Sequence, residues 1–186
     1  MGFDHGNDLC LSFWATAMEK GWIHFPPNAT VLEIGCAEAD WITPMLKERP
    51  DLQITGLDWR ACERPGTTIQ GNVLDADLFP PASFDCIVSV SAIEHVGLGS
   101  YENDPGDRHG DKHAMQNAAR WLKPGGWMYL DVPYREEAYE VHGSFRAYDT
   151  AAIDRRLLPG FLKTCWAKCV VDHPDGPYMA MLLEKA

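Results

Sequence analysis

The run Val31-Leu32-Glu33-Ile34-Gly35-Cys36-Ala37-Glu38-Ala39-Asp40-Trp41 constrains the fold more than any other stretch of the chain. It starts apolar and partly β-branched, the pattern of a strand buried on both faces. It breaks at Gly35 into small residues and resumes with Trp41, Ile42, Met45 and Leu46 at helical spacing. Proline is tolerated only in a first helical turn, so Pro44 starts this helix near Asp40 or Trp41, and Pro50 ends it. Strand, tight turn and helix together aim backbone N–H groups and a positive helix end at a ligand anion. This is how a nucleotide-binding α/β unit opens.

The other bulk properties narrow the classes. At 186 residues and 46% apolar content, the chain has the volume for one globular domain over residues 1–186. Its net charge of −11 argues against a nucleic-acid partner held by bulk electrostatics. Met1 to Asn7 lacks the order of a signal peptide, and no apolar run is long enough to span a membrane. Six cysteines are scattered through apolar runs without a Cys-x-x-Cys pair, which fits reduced thiols in a cytoplasmic protein.

Two ligand patterns compete for the Gly35 turn. A dinucleotide fingerprint places Asp40 where a small residue is needed. The alternative frame, Glu33-Ile34-Gly35-Cys36-Ala37-Glu38-Ala39, resembles the first motif of the class I S-adenosylmethionine-dependent methyltransferases, with Ala37 and Ala39 in place of two glycines. A turn of this kind also occurs for packing alone. The resemblance extends along the chain through Gly71-Asn72-Val73, Phe79-Pro80, Ser83 to Ser89, Ile93-Glu94-His95-Val96 and Leu122 to Leu130, in the family's order.

The resemblance implies a Rossmann-like three-layer α/β sandwich. Its seven-stranded, mostly parallel sheet would close with a C-terminal antiparallel hairpin, Phe161 to Asp172 with Tyr178 to Glu184. It implies S-adenosylmethionine as cofactor, held by Glu33, Gly35, Cys36 and Ala37, with Asn72 and Val73 at the adenine and Ser91 and Ala92 after the fourth strand. Asp58 falls at the tip of the second strand, about twenty residues past the turn, where a carboxylate can accept both ribose hydroxyls. Trp59 beside it is expected against adenine.

The connections on either side of Thr67 to Ile69 are too short for ordinary crossover helices, which leaves one flank of the sheet thinly covered and a candidate homo-oligomer surface. The N-terminal segment, residues 1–28, reads as an amphipathic helix stopped at Gly21 and a Pro26-Pro27 turn. Residues 97–113 and 133–148 read as long loops on the acceptor side. Helices are expected over Lys112 to Leu122 and Ala151 to Leu158.

Methyl transfer from a sulfonium requires an aligned acceptor, exclusion of water and, for a hydroxyl acceptor, a base. The resemblance places His95 beside the transferred methyl and so makes it the first candidate base; His142, on the later loop, is the second. Asp104, Asp107, His109, Asp111 and His113 carry metal-ligand chemistry, but a loop of this composition is ordinarily solvated, and no metal is expected. Asp131-Val132-Pro133-Tyr134 lacks the first proline of the amino-methylating motif and follows the fifth strand, so it is not read as one. The expected function is methyl transfer to a small molecule, at a hydroxyl. Glu94 to Gly99 with the later Gly110-Asp111 also resembles small methyltransferase-like proteins, some tied to sugar-polymer synthesis, which suggests a sugar or glycan precursor. A non-catalytic binding module and another enzyme consuming the same cofactor, such as a lyase, remain the alternatives.

Overall fold

The computed structural model describes residues 16–37, 42–63, 65–99, 104, 106–141, 143–169 and 177–186. The first strand, β1 (Thr30–Ile34), sets the layers, because successive side chains point to opposite faces. Leu32 and Ile34 enter one apolar cluster and Val31 enters the other. All three are buried, as a central strand covered on both faces requires.

Helix α1 (Ile42–Glu48) follows, with Pro44 in its first turn, and leads to β2 (Gln53–Asp58). Next come β3 (Thr67–Gln70), β4 (Phe84–Val90), helix α2 (Gly110–Trp121) and β5 (Leu122–Pro133). Strands β6 (Tyr139–Val141) and β7 (Phe145–Ala147) form a separate antiparallel pair. A short helix α3 (Thr150–Ala152), continued as a π-turn over Ile153–Leu157, leads to β8 (Phe161–Cys169) and β9 (Tyr178–Lys185).

The seven-stranded sheet has the order β3-β2-β1-β4-β5-β9-β8. Neighbours among β1 to β5 are parallel, while β9 runs antiparallel to both β5 and β8. Strand order reverses between β1 and β4, and open parallel sheets hold ligands outside the strand ends at such a point. The expected α/β sandwich and its closing hairpin are present.

The two faces differ in cover. Met115, Ala118 and Trp121 of α2 pack with Leu32, Ile87, Met128 and Leu130. On the opposite face Met45, with Ala17 and Phe25 from the N-terminal segment, packs with Val31, Ile54, Val88 and Tyr129. The helix at residues 16–19 ends where expected: Gly21 has φ +69° and its N–H reaches Met18 O, while Trp22 N–H reaches Ala17 O, the paired bonds of a Schellman cap.

No helix lies between β2 and β3 or between β3 and β4 among the described residues. The second gap is closed from α2 instead. Asn117 Nδ2 donates to Val73 O at 2.9 Å, Trp121 Nε1 to Ala76 O at 3.2 Å, and Phe79 meets Trp121 and Phe84 edge-on at 5.1 and 5.0 Å.

Three boundaries depart from the sequence reading. The span from Pro133 to Tyr148 contains the β6–β7 pair, too short to show a period in the sequence. Helix α2 starts at Gly110, whose added Cβ would come within 2.6 Å of Val96 O. Strand β5 begins straight after α2, with Pro124-Gly125-Gly126 absorbed in a register break between Phe84↔Leu122 and Cys86↔Trp127.

Candidate cofactor and active site

The turn after β1 is shaped by contact. Gly35 takes φ +86°, and a Cβ there would stand 2.3 Å from Ala92 Cβ. Only glycine lets β1 pass this close to the segment after β4. Gly35 N–H and Cys36 N–H donate to Leu57 O at 2.8 and 3.4 Å, extending the β1–β2 ladder into the turn. The fully buried Cys36 side chain sits against Gly56, where an added Cβ would approach Sγ to 2.8 Å. Glu33 is buried beneath the turn, in register with Gly56 and Val88. Ala39 and the start of the helix expected at Asp40 or Trp41 lie outside the described residues.

Asp58 ends β2 with its carboxylate almost wholly enclosed. Oδ2 accepts from Ala37 N–H at 2.9 Å, so this side chain fastens the Gly35 turn to β2. Oδ1 accepts from Arg60 N–H at 2.8 Å and from Arg60 Nε at 3.2 Å. The carboxylate expected at the ribose is thus capped by a guanidinium two residues on. Trp59 is half-buried, and its carbonyl accepts from Gln70 Nε2 at 3.3 Å. Asn72 Oδ1 accepts from Leu74 N–H at 2.9 Å, an Asx-turn that uses one of its two lone pairs. Val73 is buried with its carbonyl on Asn117.

Past β4 the chain bends at Ser91, which takes φ +45°, a conformation L-residues seldom adopt. Its partners hold it there. Ser91 N–H donates to Asp131 Oδ1 at 2.7 Å, and Ser91 Oγ donates to Glu94 Oε1 at 2.6 Å and lies 3.3 Å from Tyr178 Oη. Asp131, fully buried on β5, also accepts from Tyr129 Oη at 3.1 Å. Glu94 and His95 occupy a 3-10 turn, Ile93–His95. Glu94 is 1% exposed, which fits a residue that orients a neighbour rather than one that meets solvent.

His95 Nδ1 lies 2.6 Å from Ser144 O, and Nε2 lies 3.8 Å from Glu94 Oε1. A carbonyl only accepts, so Nδ1 carries a proton, and in the neutral ring the lone pair falls on Nε2. His142, the second expected base, lies outside the described residues.

The acids of the insert bond to nearby backbone and side chains. Asp104 accepts from Gly99 N–H and Gly106 N–H at 2.9 Å each. Asp107 accepts from His109 N–H and pairs with His113 Nδ1 at 2.6 Å; its bond from His109 N–H, then that from His113, holds its carboxyl below the usual range. Asp111 is fully buried, paired with Arg156 through Nε at 2.7 Å, and accepts from Tyr148 Oη at 2.9 Å. Burial, then the negative charge of Asp111, pushes the Tyr148 phenol well above its ordinary range. Arg146, also buried, donates to Val96 O at 2.7 Å and Asp107 O at 3.3 Å, and meets Glu140 Oε2 at 3.2 Å.

Comparison with known proteins decides the family. The family model described as a methyltransferase domain matches residues 10–161. The chain belongs to the methyltransferase-domain family. No curated protein matches the sequence. Among solved structures, this methyltransferase is similar to the 1,6-didemethyltoxoflavin-N1-methyltransferase of Burkholderia thailandensis, solved with 1,6-didemethyltoxoflavin and S-adenosylhomocysteine. Identity is 15%, coverage 100% of this chain and 92% of that one, and the TM-score 0.64. It is also similar to the N-methyltransferase NodS of Bradyrhizobium japonicum in complex with S-adenosylhomocysteine, at 18% identity, 84% and 78% coverage and TM-score 0.58. The [4+2]-cyclase SpnF shares the fold at 13% identity, 92% and 80% coverage and TM-score 0.70.

Two of these neighbours were solved with S-adenosylhomocysteine, and the residues around the Gly35 turn are compatible with the S-adenosylmethionine expected from the sequence. A turn without a Cβ, an enclosed carboxylate on the next strand and a bent segment after β4 meet at one sheet edge. Of the residues singled out from the sequence, Gly35 follows β1, Asp58 ends β2 and His95 lies in the turn after β4. Sequence reasoning missed Arg60, which turns back on Asp58, and Asp131, Ser144 and Tyr178, whose contacts come from distant segments. Only Arg60 left a local sign, as a residue two past an acceptor carboxylate.

Proposed function

We propose that this methyltransferase moves the methyl group of S-adenosylmethionine to a hydroxyl of a small acceptor, and that His95 takes the acceptor's proton. The observation that carries the proposal is the bond between His95 Nδ1 and Ser144 O at 2.6 Å, which leaves Nε2 as a proton acceptor. The buried Glu94 carboxylate, 3.8 Å from Nε2, attracts the ring once it has accepted that proton.

The cofactor supplies an electrophilic methyl group on a sulfonium. Asp58 would hold its ribose hydroxyls in exchange for Arg60, and the Gly35–Ala37 backbone would approach it closely. Asn72 and Val73 would border the adenine, Trp59 would pack on it, and Ser91 and Ala92 would face the reacting end. Orientation and exclusion of water account for most of such a transfer. Those tasks fall to the loops gathered by Arg146.

A nitrogen acceptor is the second reading, favoured by two neighbours named as N-methyltransferases. An amine that is already neutral needs no base, so His95 separates the two. With a hydroxyl acceptor, His95→Gln lowers kcat by about 10²–10⁴-fold, while calorimetric affinity for S-adenosylmethionine stays nearly unchanged. Unchanged kcat would refute the base role. Mass spectrometry of the cofactor products checks the reaction class: methyl transfer leaves S-adenosylhomocysteine, whereas a lyase or cyclase does not.

A further inference from the structure

Cys36 Sγ and Cys62 Sγ lie 3.0 Å apart. One sulfur belongs to the cofactor turn. The other ends the short segment that carries Trp59 and Arg60 over the tip of β2. Gly56 gives the Cys36 side chain its place, and the half-exposed Cys62 is the partner open to solvent. A disulfide bond is about 2.05 Å long, so about 1 Å of approach would close this pair.

We propose that Cys36 and Cys62 form a reversible disulfide, and that the bridge lowers affinity for S-adenosylmethionine by holding Arg60 on Asp58. Cys62 is only two residues past Arg60, and Ala37, next to Cys36, already donates to Asp58. The bridge would therefore tie both sides of this carboxylate at once and restrain the guanidinium from leaving Oδ1. The effect on affinity rests on Asp58 being the ribose ligand.

The oxidant is a low-molecular-weight disulfide. Cys62 gives its proton to solvent, and its thiolate attacks one sulfur of the reagent. The other reagent sulfur leaves with the bonding pair as a thiolate. Cys36 then attacks the Cys62 sulfur of the mixed disulfide, releasing the second reagent thiolate, which takes the Cys36 proton. Two protein thiols are oxidised by two electrons, and one reagent disulfide becomes two thiols. Burial, followed by the neighbouring Cys62, raises the Cys36 thiol far above its ordinary range, so attack starts at Cys62.

The test equilibrates the full chain in glutathione buffers of rising oxidised fraction, blocks remaining thiols, maps the peptides and titrates S-adenosylmethionine by calorimetry. The expected result is a Cys36–Cys62 cross-linked peptide and affinity about tenfold or more weaker, restored by dithiothreitol. Cys62→Ser should bind equally in oxidising and reducing buffer. Absence of that cross-link, or a cross-link that leaves affinity unchanged, overturns the proposal. Reduced Asp58→Asn separates the two readings. Normal affinity in that variant refutes Asp58 as the ribose ligand and the Arg60 route with it. Weak binding there, beside unimpaired binding by the oxidised wild type, refutes the switch alone.

Discussion

Replacing Gly35 by alanine tests the central contact of the site. The substitution forces an L-residue to φ +86°, which costs about 1–2 kcal/mol. It also brings two Cβ atoms to 2.3 Å, when carbon atoms rest at about 3.5–4.0 Å. Ala92 cannot retreat freely. The neighbouring Ser91 is bonded to Asp131 and Glu94, and the turn beyond it carries His95. Relief of such a clash typically costs a further ~1–3 kcal/mol. The sum, about 2–5 kcal/mol, corresponds to a fall in Tm of about 5–15 °C for a chain of this size. Calorimetric melting measures it, and the double variant Gly35→Ala/Ala92→Gly isolates its cause. Removing the Ala92 Cβ should return about 1–3 kcal/mol, leaving the backbone cost in place. Strict additivity of the two substitutions, or a Tm for Gly35→Ala equal to that of the wild type, would refute the reasoning.

Other perturbations address the surroundings. Gly56→Ala crowds Cys36 Sγ at 2.8 Å and should destabilise by about 1–3 kcal/mol in urea unfolding, with reduced cofactor affinity. Arg156→Leu leaves the fully buried Asp111 without its cation; allowing for the partial exposure of Arg156, the cost should be about 2–4 kcal/mol, read as a Tm lowered by about 5–12 °C. Stability should fall on the alkaline side. Burial raises the Cys86 thiol from 9.0 to about 12 and sends the Tyr148 phenol well above 10.0. Groups raised by folding stabilise fully below their unfolded values and lose that contribution as pH rises through the folded ones. The urea midpoint under reducing conditions should therefore hold up to about pH 9 and decline above it, with a shallower decline in Tyr148→Phe.

The parallel core was legible because strands buried on both faces read as apolar runs, and Val31 to Ile34 and Phe84 to Val90 do so. The turn at Gly35 was legible for a similar reason, since a tight strand-to-helix bend needs a small residue where backbones meet. The surroundings of Asp58 were not. Its position followed from spacing, but Arg60 and Ala37 reach it through a bend that spacing does not encode. Glu94 escaped because burial of a carboxylate depends on Ser91, which adopts a strained backbone only with Asp131 from another strand beneath it. The insert from Gly97 to His113 looked like solvated chain. Its acids instead cap backbone amides and anchor α2, a use that composition does not distinguish from exposure.

Arg146 gives the segments beyond β4 a common hub. One guanidinium draws together the chain leaving the 3-10 turn, the insert before α2 and the small β6–β7 ribbon. The proposed function assigns the acceptor to these segments, and rebuilding any single one of them would disturb the other two. New specificities should accordingly arise from coordinated changes across all three, or from changes confined to side chains that leave the hub in place.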